Sequence, residues 1–168
     1  IKPCTVNLTM IDASLLADLV TELPPAVRLQ RLVRALREQF QCGAVALLRR
    51  EGDSLCPIAI DGLMQETLGR RFQIAHHPRL ATLLTSRSPV RFEPGSPLPD
   101  PYDGLLDGHA GEPLPVHYCM GISLHLEGQP WGVLTLDALH AGTFAGTAMT
   151  QLAETVLLVE AAVRVTRL

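Results

Sequence analysis

At 168 residues, with 47% of them hydrophobic and 18% charged, the chain has the length and apolar content for one domain with its own core. A formal net charge of −3 and no basic stripe exclude direct nucleic-acid contact as its main task. No apolar run approaches the roughly 20 residues that a membrane span needs.

Residues 1–9 precede Met10 and are read as an artificial or flexible leader, with residues 10–168 as the domain. Asp12 is placed to cap a first helix carrying Leu15, Leu16, Leu19 and Val20, which Pro24 and Pro25 end. Pro25 suits the first turn of a second helix, whose stripe Leu29, Leu32, Val33, Leu36 and Phe40 has helical spacing; Gly43 lies just past its end. Two strand-like runs follow, Ala44–Leu48 and Leu55–Ile60, around the turn residues Glu51-Gly-Asp-Ser54. Helical character returns at Leu63–Leu68 and at Pro78–Thr85. A long loop, 93–115, is rich in Pro, Gly and Asp, and loops of that length in a compact domain are usually functional or disordered.

Val116–Leu126 and Trp131–Leu139 read as an antiparallel hairpin around Gly128. A final helix, about 145–167, carries Met149, Leu152, Val156, Val159 and Val163 at alternating spacings of three and four. That pattern serves a coiled-coil seam or a core face, and a homodimer through the terminal helices is expected. The order of elements predicts an α+β fold: an antiparallel sheet with the N- and C-terminal helices on one face and a ligand pocket under the long loop on the other.

Candidate chemistry gathers at that loop. Alternation along 116–126 sends Val116, Tyr118, Met120, Ile122 and Leu124 to the core, and His117, Cys119, Gly121, Ser123 and His125 to the loop side. His117 and Cys119 make a plausible half-site for a metal, although such a pair alone is more often a hydrogen-bonded His and a small buried Cys. Pro99-Asp-Pro-Tyr-Asp-Gly104 is either an ordinary turn or a braced loop that brings Asp100 and Asp103 to one point. Asp137 follows the apolar run Val133-Leu-Thr-Leu136, where a carboxylate needs water, a partner or a metal. Were Gly128-Gln129 a two-residue loop, Asp137 would oppose Met120 and face the core. A bulge or longer loop brings it to Cys119 instead, and that shifted register is predicted. Oxygen, nitrogen and sulfur donors of this kind suit a redox-active first-row metal such as ferrous iron.

Cys4, Cys42, Cys56 and Cys119 are scattered without C-x-x-C spacing, which predicts reduced thiols and a cytoplasmic location. His76 and His77 point apart as neighbours and read as a helix-entry turn rather than a zinc pair.

From about Ala17 to Leu168 the chain resembles the N-terminal GAF sensor domain of NorR-type, nitric-oxide-responsive, sigma-54-dependent activators. The resemblance rests on Ile60-Asp-Gly-Leu63, Leu68-Gly-Arg-Arg-Phe72, His77-Pro-Arg-Leu80, Val90-Arg-Phe92, Leu98-Pro-Asp-Pro-Tyr-Asp-Gly-Leu105, His117-x-Cys119-x-Gly121 and Leu134-Thr-Leu-Asp137, in that order. It implies a mononuclear non-haem ferrous centre that binds nitric oxide as an iron nitrosyl, with ligands matching Asp100, Asp103, His117, Cys119 and Asp137. The tyrosine matching Tyr102 is implied to lie near the bound gas, and the arginine matching Arg79 is also implicated.

Arg79 is better placed beside the ligands than among them, as a displaceable neighbour, because a guanidinium has no lone pair to give. The resemblance further implies an AAA+ ATPase and a DNA-binding helix-turn-helix beyond this segment, with the ATPase held silent until nitric oxide arrives. The last helix is the candidate route for that signal. No catalysis is expected, and purification in air is expected to strip the iron. Two other functions compete: a metal-free GAF module for a small organic ligand, and a GAF-type free methionine sulfoxide reductase. Only Cys119 lies at the predicted pocket, so no resolving thiol is evident for the reductase.

Overall fold

A computed structural model of the chain describes residues 10–105 and 118–166. Residues 1–9, expected to be a leader, and His117 lie outside the described residues. Helix α1 spans Met10–Leu19 and α2 spans Pro25–Phe40. Since α1 begins at Met10, Asp12 falls inside its first turn rather than ahead of it. Leu15 is buried, but Leu16 and Val20 of the expected stripe are exposed.

What ties α1 down is an arginine. The buried Arg28 of α2 donates to the carbonyls of Asp18 and, at 2.8 Å, of Thr21, capping chain-end carbonyls that α1 cannot satisfy itself. Pro25 sits in the first turn of α2, and Leu29, Leu32, Val33, Leu36 and Phe40 are buried as the spacing predicts. The helix stops at Gln41, which takes the left-handed conformation (φ 49°), and not at Gly43.

The strands are β1 (Ala44–Glu51), β2 (Ser54–Asp61), β3 (Phe72–Gln73), β4 (Val90–Phe92), β5 (Tyr118–Leu126) and β6 (Gln129–Ala138). They form one antiparallel sheet in the order β3-β2-β1-β6-β5-β4. Helix α3 (Pro78–Thr85) and α4 (Ala148–Thr166) complete the fold; the expected helical turn near Leu63 is a short 3-10 segment, Gln65–Gly69.

Alternation divides the core in two. Val45, Leu47, Met120, Ile122, Leu124, Leu134 and Leu136 pack under α1, α2 and α4. Ala44, Ala46, Leu48, Cys119 and Val133 face the other way, toward α3 and the loop. Leu152, Val156, Val159 and Val163 of α4 are buried in the first of these cores, and Met149 packs against it. This corrects the expected dimer seam: those side chains are consumed within one chain, because a sheet face demands the same periodicity as a partner helix. Among the described residues no helix is long and apolar enough to cross a membrane.

The β5–β6 hairpin turns through Glu127 and Gly128, both at positive φ. Past the turn, Trp131 is an extra residue between the pairs His125–Pro130 and Leu124–Gly132. This bulge shifts every later pair by one, so that Cys119 lies opposite Asp137, as predicted.

Candidate metal centre

Three elements converge beneath the loop. Cys119 and Asp137 are opposed across β5 and β6, and both are buried. Asp100 reaches them from the loop, its side chain 5% exposed. One ligand atom from each of the three lies within 4.8 Å of the others.

The loop holds this shape through a chain of hydrogen bonds. The Asp100 carboxylate accepts the Tyr102 N–H at 2.7 Å, the turn-forming contact that aspartate makes with the backbone two residues on. The Leu105 N–H donates to the Tyr102 carbonyl at 2.9 Å, and the Met64 N–H donates to the Leu105 carbonyl at 2.8 Å. Arg79 enters from the first turn of α3. Its Nε donates to the Leu98 carbonyl at 2.8 Å, its Nη1 pairs with Asp100 at 3.2 Å, and its guanidinium lies 5.1 Å above the Phe92 ring.

Tyr102 is fully buried, its hydroxyl 2.9 Å from Thr135 Oγ1 and its ring edge-on to Phe72 at 5.7 Å. Burial, with Asp137, Cys119 and Asp100 nearby, raises its phenol well above the usual range against the opposing pull of Thr135. Burial likewise pushes the Cys119 thiol well up, helped by the charges of Asp137 and Asp100 and by a hydrogen bond with Asp137. Cys119 is therefore a neutral thiol until a cation arrives to favour the thiolate.

Of the expected site residues, Asp100, Cys119 and Asp137 are brought together, with Arg79 and Tyr102 against them. Asp103 is exposed and does not join them. His117, immediately before β5, lies outside the described residues. The expected open pocket is filled among the described residues by Tyr102, Leu105, Phe92, Leu80 and Leu83, while surface concavities of about 290 to 430 Å³ lie elsewhere. Thr135 went unnoticed in the sequence, although alternation along Thr135-Leu-Asp137 puts it on the same side as Asp137.

These donors fit a single metal ion. Metal–oxygen and metal–sulfur bonds run to about 2.0–2.5 Å, so atoms within 4.8 Å of one another fall inside one coordination sphere. Two carboxylates and a thiol offer mixed hard and soft donors, and Arg79 offsets part of their charge.

A family model described as the GAF domain matches residues 24–164. The chain is 61% identical over 161 residues to the nitric oxide reductase transcription regulator NorR1 of Cupriavidus necator, covering 96% of this chain and 31% of that protein. It is 47% identical over 127 residues to the anaerobic nitric oxide reductase transcription regulator NorR of Serratia proteamaculans, covering 76% and 25%. The chain thus spans about a third or less of the length of these relatives. Among solved structures, the GAF domain of a phosphoenolpyruvate-protein phosphotransferase from Coxiella burnetii superposes with a TM-score of 0.70 at 17% identity, over 94% of this chain and 91% of that one.

Proposed function

The chain belongs to the GAF domain family, and from that premise we propose that it is the nitric-oxide-sensing module of a transcription regulator, with one non-haem ferrous ion as the sensing element. The observation that carries this reading is the convergence of Asp100, Cys119 and Asp137 in a chain so similar to a regulator of nitric oxide reductase. Asp100, Cys119 and Asp137 would hold the ion, with His117, just ahead of β5, and Asp103, three residues beyond Asp100, proposed as further ligands. When bound, ferrous iron supplies a coordination position for a diatomic gas.

The surrounding residues do the rest. Arg79 neutralises Asp100 and anchors the loop through the Leu98 carbonyl, so a change in charge at the ligands alters its hold. Tyr102 and its apolar neighbours exclude water. Cys119 and Asp137 share their strands with Met120 and Leu136, which pack in one core with Leu152, Val156 and Val159 of α4. A displacement of the strand pair is thereby felt by α4.

In the longer protein, α4 would pass this bias to an AAA+ ATPase that the domain restrains until nitric oxide binds, releasing sigma-54-dependent transcription of detoxification genes. A metal-free module for an organic ligand is disfavoured, because its chamber beneath the loop is occupied by Tyr102, Leu105 and Phe92.

Anaerobic loading tests the reading. One ferrous ion per chain is expected, with an electron paramagnetic resonance signal that requires both iron and nitric oxide. Cys119→Ala and Asp137→Ala should lose it. Iron uptake no better than in those variants would overturn the proposal.

A further inference from the structure

Edge strand β4 is three residues long, and alternation turns its neighbouring side chains to opposite faces of the sheet. Phe92 pairs with Cys119 and belongs to the core beneath the loop, where the Arg79 guanidinium lies 5.1 Å above its ring. Arg91 pairs with Met120 and so shares the side of the sheet on which the terminal helices pack. There its Nη1 donates to the Phe144 carbonyl at 3.0 Å, across 53 positions of sequence, and its Nε pairs with Glu93 at 2.8 Å.

Phe144 belongs to the segment between β6 and α4, four residues before the helix begins. Its side chain is buried in the same core as Leu152 and Val156 of that helix. On either side of it Gly142 (φ 82°) and Gly146 (φ 66°) take the left-handed conformation that glycine adopts at no steric cost. The segment bonds locally, through the Thr143 N–H to the His140 carbonyl and the Ala145 N–H to the Gly142 carbonyl. Phe144 is thus a plug between two glycine joints, and Arg91 ties it to β4.

We propose that Arg91 is a positioning residue that couples the candidate metal centre to the first turn of α4. One peptide unit separates the ring under Arg79 from the guanidinium that holds Phe144. A change in the hold of Arg79 on Asp100 that moves Phe92 therefore moves the Phe144 carbonyl as well. The glycine joints let the plug follow without disturbing β6, and the start of α4 shifts or loosens with it. This contact acts at the beginning of the helix, apart from the packing of Met120 and Leu136 against its buried face. The inference rests on the sensing reading for its trigger, whereas the linkage itself is a property of the metal-free chain.

Hydrogen exchange read by mass spectrometry on the metal-free 168-residue chain tests the linkage. Arg79→Ala should speed exchange of the amides of 142–151 by about threefold or more. With Arg91→Gln already in place it should add nothing there, while the Tyr102 amide speeds up equally in both backgrounds. A merely structural tie would leave the two effects additive. Phe92→Leu, which keeps apolar bulk but removes the ring beneath the guanidinium, should repeat the pattern. In a second arm, Arg91→Gln should take up ferrous iron with the stoichiometry of the parent and lose the iron-dependent change at 142–151. Additive effects of Arg79→Ala and Arg91→Gln, or an iron-dependent change that survives Arg91→Gln, would overturn the proposal. A parent chain that takes up no iron defeats the sensing reading, and the metal-free comparison still decides the linkage.

Discussion

Thr135 and Tyr102 share a hydrogen bond in a place where neither hydroxyl has water to fall back on. Thr135→Val keeps the shape and leaves the phenol buried without that partner, which costs about 1–3 kcal/mol. Combining it with Tyr102→Phe should cost less than the sum of the two single changes, as urea unfolding of all four chains will read. His77 illustrates a different dependence on surroundings. It packs edge-on to Phe72 at 5.1 Å, and burial, then the charge of His76, lowers its pKa from the ordinary 6.5. The unfolded chain therefore takes up a proton more readily than the folded one. The stability His77 contributes is complete above pH 6.5 and is lost as pH falls through its folded value. His77→Phe keeps a ring there and should flatten that part of the stability-versus-pH curve between pH 7.5 and 5.5.

Between elements, closeness of approach decides what a residue can be. A Cβ on Gly121 would lie 2.6 Å from Leu83 Cδ1 of α3 and 2.8 Å from the Leu134 carbonyl oxygen of β6. Leu83 is fully buried and the strand cannot retreat, so Gly121→Ala should destabilise by about 1–3 kcal/mol in thermal unfolding. Helix α3 carries Arg79 at its start, so the same change should loosen the grip on Asp100 and speed hydrogen exchange at the Tyr102 amide. Strands and helices were largely legible in the sequence because alternation and helical spacing both report burial on one face. The role of α4 was not: a stripe spaced by threes and fours looks the same whether a sheet or a second helix covers it. Asp103 stands apart from Asp100 in the described geometry for a related reason. Spacing by three suggests two carboxylates on one side of a turn. The Asp100 side chain instead caps the Tyr102 amide, and the chain then sends Tyr102 inward and Asp103 out to solvent. Asp137 was placed correctly because a charge among Met120, Ile122 and Leu124 was too costly to accept without a bulge.

For the molecule as a whole, a ligand that binds only the folded state raises its melting temperature. Ferrous iron added without oxygen should do so, chelation should reverse the gain, and Asp100→Ala or Asp137→Ala should abolish it. Loss of the shift in the parent chain would count against a folded-state site. The described part of the loop is fastened at three places: Arg79 to Leu98 and Asp100, Tyr102 to Thr135, and Leu105 to Met64. With Tyr102 and Cys119 almost fully covered beneath it, the site is a closed room rather than a bay. A small uncharged gas can cross such a wall on the fluctuations of packed side chains, whereas a charged chelator must wait for the fastenings to part. Metal removal should then follow a first-order rate that climbs with chelator concentration only to a plateau, the plateau being the opening rate of the loop itself. Thr135→Val should raise that plateau.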